Sequence, residues 1–379
     1  MIKKCVVVAV ALSVFFAVAG ICYGAEETIK IGYVGALTGD TALWGQAGLN
    51  GMLMTAEKIN AEGGVMGKKI EIIGMDGRGD PQDSVNAFNK LIDEYKVVAV
   101  VGTNFSSCNI PMASVADQKK VSLIATAASN ELVTVDSNGK LRPYSFRLCF
   151  IDPFQGMKMA EYVFNKGYKT GAIIVNQADS YSTGIAKFVV QSFEEKGGKI
   201  VANEAAQSGD NDYRAQLTKI VHAKPEVLFI PWIYSDVALI AKQARELGFE
   251  GLMAGFDGWD SYELGALAEG TLEGAIFSSR PGFSLPEAKA YGEEYQAKFN
   301  IGLEGECLFG NDGLMWVVQC INEAGSADPQ AIRDQLENTK YFKGLLGEMS
   351  VDPATHNPQR ELAIFEIKGP DYTFVEMFW

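Results

Sequence analysis

Short, continuous apolar runs alternate along this chain with stretches in which apolar residues recur every three or four positions. Residues 28–36 form an apolar run that predicts a strand, and residues 43–61 follow at helical spacing until Gly63-Gly64 stops them. A second run covers 68–75. The turn after it, Asp76-Gly-Arg-Gly-Asp-Pro81, puts a proline where a helix opens. Runs at 97–101 and 121–125 continue the alternation, and the pattern restarts with runs at 170–176, 199–205, 226–231 and 251–255. Val237, Ile240, Ala241, Ala244 and Leu247 mark the buried face of one intervening helix. Further helices are predicted at 286–299 and 309–325, and a strand near 362–367. Val/Ile-rich strands separated by helices imply parallel sheets covered on both faces. The expected class is therefore α/β, with two Rossmann-like lobes and parallel sheets. Ligands of such sheets bind beyond the carboxyl ends of the strands, so two facing sets of ends make one site between lobes.

The first two dozen residues are a different kind of segment. Lys3 and Lys4 precede an apolar run from Val6 to Ile21, and Cys22 and Gly24 supply small residues before Ala25. This is the pattern of an export signal over residues 1–24. A membrane anchor of similar length is the competing reading, but this run is short and leads into Glu26-Glu27 rather than a basic cluster. Ile21 also stands where a lipidated Cys22 needs a small residue, so lipidation is not expected. Removing the segment deletes two lysines and no acid, taking the formal charge from −14 to −16. An acidic chain of this kind has no basic footprint for nucleic acid. Its 47% hydrophobic and 11% aromatic content argues for a large folded core. The roughly 355 residues that remain are more than one core comfortably holds, so two domains are expected.

Of the six cysteines, Cys108, Cys149, Cys307 and Cys320 remain after cleavage, and their spacing matches no zinc pattern. On one helix, Cys307 and Cys320 would stand ~20 Å apart, too far to bond. Four buried thiols are the simpler expectation.

The strand-end turns carry the candidate chemistry. Gly102-Thr-Asn-Phe-Ser106-Ser107 and Thr126-Ala-Ala-Ser129-Asn130 each place a hydroxyl where a helix begins. A hydroxyl beside free N–H groups receives a carboxylate, and the same serine also serves as a plain helix cap. In the second half, Asp257 follows a strand and is placed either to pair with a ligand ammonium or, like Asp260, to cap the next helix. Trp44, Phe105, Tyr181, Trp232 and Tyr234 fall in or beside the same loops, where they either wall a pocket or pack in the core. Catalysis is not expected. The chain has two histidines, His222 in a charged helix and His356 in a proline-rich turn, with no phosphate-binding loop, nucleophile elbow or metal-ligand cluster. No catalytic residue, metal or cofactor is therefore assigned.

Taken together, Ile31-Gly-Tyr-Val-Gly-Ala-Leu-Thr-Gly39, Ile59-Asn-Ala-Glu-Gly-Gly-Val-Met-Gly67, Asp80-Pro81, Val101-Gly102 with Ser106-Ser107, Ala125-Thr-Ala-Ala-Ser129, Asp179-Ser-Tyr181-Ser-Thr-Gly184, Gln243-Ala-Arg-Glu-Leu-Gly248 and Gly255-Phe-Asp-Gly258 resemble the periplasmic leucine/isoleucine/valine-type (branched-chain amino acid) substrate-binding proteins of ABC transporters. The resemblance spans nearly all of the mature chain. It implies the type I periplasmic binding fold, with three hinge crossovers near 147, 278 and 366. That division gives lobe 1 as 25–147 plus 279–366, and lobe 2 as 148–278 plus 367–379. It implies that Ser106 binds a ligand α-carboxylate and that Ser129 contacts the α-carboxylate and α-amino group. The Ala127 carbonyl would accept from the ammonium, Asp257 would pair with it, Tyr181 would close over the ligand from the second lobe, and Trp44 matches an aromatic of the first. It implies a periplasmic monomer that hands an amino acid (leucine, isoleucine, valine or another neutral one) to a membrane permease. The same fold also serves amides, aromatic carboxylates and ligand sensing. One departure stands out: the disulfide of the best-known relatives is absent, because Phe105 and the Gly/Arg turn occupy its positions. Phe105 and Trp44 also make the first-lobe wall bulky.

Overall fold

The computed structural model describes residues 28–378, so the export segment expected over 1–24 lies outside the described residues. The first half alternates as read from the sequence. It runs β1 (Ile29–Gly35), α1 (Ala42–Ala61), β2 (Ile70–Asp76), α2 (Pro81–Asp93), β3 (Ala99–Gly102), α3 (Ser106–Lys119), β4 (Ser122–Ala125) and β5 (Ser145–Arg147). These strands form one sheet in the order β2-β1-β3-β4-β5, parallel throughout. Local chemistry sets the boundaries. Pro81 opens α2 behind Asp80, whose carboxylate takes the Asp83 N–H at 2.9 Å, satisfying a donor that the helix start leaves free.

The chain then enters a second unit with α4 (Asp152–Asn165), β6 (Thr170–Asn176), α5 (Ser180–Glu195), β7 (Lys199–Ala206), α6 (Arg214–His222), β8 (Val227–Phe229), α7 (Tyr234–Glu246), β9 (Leu252–Gly255), α8 (Glu263–Ala268) and β10 (Ile276–Ser279). It returns to the first unit as α9 (Pro286–Phe299), α10 (Gly305–Ala324), α11 (Pro329–Glu337) and the small antiparallel sheet β11 (Phe342–Gly344), β12 (Gly347–Val351) and β13 (Pro358–Gln359). Tyr295, Phe309, Trp316 and Leu336 of these helices share one core with Tyr33, Val101 and Phe146 of the first sheet. Burying that apolar face is what holds two distant stretches of chain in one lobe.

β14 (Leu362–Lys368) and β15 (Asp371–Phe378) complete the second sheet, whose order is β15-β14-β10-β9-β8-β6-β7. One expectation is corrected here. The third crossing was placed near 366, yet β14 lies wholly in the second sheet, with Ser279 opposite Ala363 and Ile276 opposite Glu366. The chain therefore crosses between Gln359 and Leu362, and residues 362–366 belong with lobe 2. Strands β6 to β10 of the second sheet are parallel, as expected, and β14 and β15 add an antiparallel edge to it. Their two-residue connection, Gly369-Pro370, is short enough only for a hairpin, and Gly369 supplies the positive φ of 59°.

A buried arginine stands at each crossing: Arg147 at the end of β5, Arg280 after β10 and Arg360 after β13. Arg360 donates to the carbonyls of Leu148 and, at 2.7 Å, Leu346, tying the third crossing to the first. Cys108, Cys149, Cys307 and Cys320 are all buried free thiols. Burial pushes Cys108 up to about 11 and Cys149 up to about 12, which keeps them protonated.

Candidate functional site

The carboxyl ends of the two sheets face each other across a cavity lined by Trp44, Phe105, Ser106 and Ala127 from the first lobe and by Tyr181 and Asp257 from the second. Its free volume is about 30 Å³, room for a couple of waters. The lobes are closed on one another. Trp44 of α1 lies 4.9 Å from Tyr234 of α7, tilted by 53°, and packs within the second lobe's core. Asn130 Nδ2 donates across the cleft to the Ser180 carbonyl at 2.7 Å.

The two strand-end turns of the first lobe are built from neutral groups, and Glu306 of α10 is that lobe's one charged lining residue. Phe105 stands at the N-cap of α3 and has no side-chain oxygen to bond the helix's first N–H groups, so those donors remain for something else. Ser106 opens the helix, and its hydroxyl accepts the Asn130 N–H at 3.2 Å, joining the two strand-end turns. Asn109 fixes the first turn by donating to Thr103 O at 2.7 Å and Phe105 O at 3.0 Å. Arg147 fixes the second, donating to Ala128 O at 2.9 Å and Asn130 O at 2.8 Å. Ser129 is fully buried behind this surface, beside Asp152, and does not line the cavity. Its carbonyl takes the Asp152 N–H at 2.9 Å.

The second-lobe side carries full charges. Asp257 is buried, with Oδ2 3.5 Å from Arg280 Nη1 and with Oδ1 unpartnered. Tyr181 accepts the Gly258 N–H at 2.8 Å and turns its hydroxyl toward Asp257. Burial raises the Asp257 carboxyl pKa, against the pull of Arg280 and the hydrogen bonds from Gln155 and Tyr181. Arg280 also meets Asp260 at 3.1 Å. Burial pulls its guanidinium down, but Asp260, Asp257 and Glu306 together outweigh that and leave it firmly charged.

Trp232 departs from expectation. It is 1% exposed, donates its indole N–H to Ile174 O at 2.8 Å and meets Tyr213 edge-on, within the core of the second lobe. The next residue, Ile233, lines the cavity instead. Successive residues of extended chain point opposite ways, so a shift of one exchanges wall for core. Sequence reasoning missed Arg280, Glu306 and Asn104 as lining residues and gave Asp260 only a capping role. Arg280 follows a strand end in Ser278-Ser279-Arg280-Pro281, a signal of the same kind that singled out Asp257. Glu306 carries no such mark, because an acid in the first turn of a helix is ordinary.

Among the described residues no three His, Cys, Asp or Glu side chains are grouped to hold a metal. The arrangement is a small closed cavity with the neutral donors of two turns and Glu306 on one side and Asp257 with Arg280 on the other. The sequence profile of the periplasmic binding protein family matches residues 28–371. The chain belongs to the periplasmic binding protein family. Members of this family bind solutes and are not enzymes, as expected from the missing catalytic motifs. The binding protein is similar to an amino acid binding protein of Pseudomonas aeruginosa, 29% identical over 325 residues, 85% of each chain. Its structure is similar to a leucine binding protein from Thermotoga maritima, at 29% identity and a TM-score of 0.85, covering 92% of this chain and 98% of that one. It is similar too to a branched-chain amino acid transporter substrate binding protein of Streptococcus pneumoniae in complex with isoleucine. That likeness has 30% identity and a TM-score of 0.83, covering 92% of this chain and 99% of the other. The fold is thus the type I periplasmic binding fold.

Proposed function

We propose that this protein captures an α-amino acid between its lobes in the periplasm and delivers it, as a monomer, to an ABC permease. One observation carries the reading. The unpartnered Asp257 Oδ1 and the uncapped start of α3 border the same cavity from opposite lobes. A carboxylate suits the N–H groups and hydroxyl at Ser106, and an ammonium suits Asp257 and the Ala127 carbonyl. The ligand first settles on the neutral donors of the first lobe. Closure then brings Asp257 and Tyr181 over it, and both ligand charges leave water only because each finds a partner. The names of the relatives make leucine, isoleucine and valine the first ligands to try.

The test is a thermal-shift screen of ligand-stripped mature protein against amino acids, amides and aromatic acids. Ligand at ~100 times its Kd stabilises by ~2.7 kcal/mol, a clear melting shift. Amino acids giving the largest shifts support the reading, whereas a response confined to carboxylates that lack an amino group overturns it. Delivery to a permease, as opposed to sensing, predicts neighbouring genes for permease and ATPase subunits.

A further inference from the structure

Acids outnumber bases around the cavity, and one of them neither pairs with the base nor caps a helix. Four acids line it, Asp179, Asp257, Asp260 and Glu306, and Arg280 is the only base among the lining residues. Three of the four acids are accounted for. Asp179 caps α5, accepting the N–H groups of Tyr181 and Ser182 at 3.3 and 3.2 Å. Asp260 is saturated: Oδ2 takes Arg280 at 3.1 Å and the Ser279 hydroxyl at 2.7 Å, and Oδ1 takes the Tyr372 hydroxyl at 2.8 Å. Asp257 holds the other arm of Arg280 and keeps Oδ1 for the α-ammonium of the ligand proposed above.

Glu306 has no such partner. It is 5% exposed, opens onto the same cavity and makes no ion pair within 4.0 Å among the described residues. The polar group beside it is the Thr126 hydroxyl, which has no other partner. Arg280 is committed to Asp257 and Asp260 and lies over the Phe309 ring, 4.3 Å from its centroid. The start of α10 makes a carboxylate tolerable there but gives it no counter-charge. An aliphatic ligand side chain in the closed cavity leaves this carboxylate without a partner, at the cost of a buried unpaired charge or of taking up a proton.

Resting on the amino-acid reading above, we propose that Glu306 is a second recognition point and selects amino acids whose side chain ends in a cation. The α-ammonium pairs with Asp257 and the side-chain cation pairs with Glu306, so each of these two carboxylates meets a counter-charge.

Calorimetric titration of the mature protein with L-ornithine and L-norleucine tests this, because their side chains match in heavy atoms and differ in charge. Wild type should bind ornithine more than ~10-fold tighter, and Glu306→Gln should shrink that ratio to within ~3-fold. Glu306→Asp, which keeps the charge, should keep the preference. If Glu306→Gln does not fold, the wild-type ratio and Glu306→Asp still decide. Norleucine binding wild type as tightly as ornithine, or tighter, overturns the selection by Glu306 and leaves the amino-acid reading intact. Glutamine binding tighter than ornithine overturns the cation in favour of a neutral donor. Binding of none of the three overturns the selection by Glu306, while the amino-acid reading stands or falls on the thermal-shift screen.

Discussion

At the strand-end turns of the first lobe, Ser106 and the start of α3 present N–H and O–H dipoles held by Asn109 and Arg147, with the lobe's one charged group, Glu306, standing apart on α10. On the second-lobe side, Asp257 and Arg280 present whole charges, with one carboxylate oxygen of Asp257 left unpartnered. The difference decides which side depends on the ligand. Neutral donors at a helix start are readily solvated when the lobes part, so the first side is a preformed seat. A buried carboxylate oxygen without a partner is expensive, and opening the cleft relieves it. The second side therefore gains most from the ligand, and closure is favoured when an ammonium reaches Asp257.

Breaking the charged side should cost most. Asp257→Ala removes the ammonium's partner, and losing one member of a buried pair typically costs ~3–5 kcal/mol, so affinity should fall ~100-fold or more. Titration calorimetry reads this directly, and a variant within a few-fold of wild type would remove Asp257 from the account. The neutral side should be more forgiving. Ser106→Ala loses one hydrogen bond to a charged group, worth ~1.5–3 kcal/mol, for a drop of about 10- to 100-fold with the fold unchanged.

A pH series on ligand-free protein sharpens the contrast. Burial, against the pull of Arg280, pushes Glu306 up to about 8 from the ordinary 4.5. Between those values the folded chain holds a proton that the unfolded chain has released. Stability should therefore fall as pH rises from 4.5 to about 8, by at most ~1.4 kcal/mol per pH unit from this group. Below 4.5 and above about 8 the group adds no further slope. Melting curves of Glu306→Gln should lose this component of the slope, and an unchanged profile would contradict the burial of the carboxyl group. The smallest effect belongs to the bond joining the two sides. Asn130→Ala deletes the 2.7 Å bond to Ser180 O, worth ~1 kcal/mol, so affinity should fall about fivefold. Solution scattering should show a larger open fraction.

The same comparison explains what was legible in the sequence. The β/α alternation, Ser106 at the start of α3 and Asp257 after β9 are local features, written in runs, turns and caps. Arg280 and Glu306 are not, because nothing local separates an acid or base buried between lobes from one on a solvated helix end. Their roles exist only once α10 has folded back onto the first sheet. Ser129 shares the strand–turn–helix signature of Ser106 yet lies behind the cavity wall, and Trp232 sits one residue from the position that faces it. The third crossing escaped for a related reason. β14 reads like any other strand, and its place beside β10 depends on pairing with a segment more than eighty residues earlier.

The most direct test of the central claim is the Kd of the best-binding amino acid against that of its own deaminated carboxylate, measured on the same protein. Both molecules fill the seat at Ser106, and only the first reaches Asp257. Losing the amino group should weaken binding ~100-fold or more. A deaminated analogue that binds as tightly as the parent would contradict it, because the buried carboxylate of Asp257 would then have no part in holding the ligand.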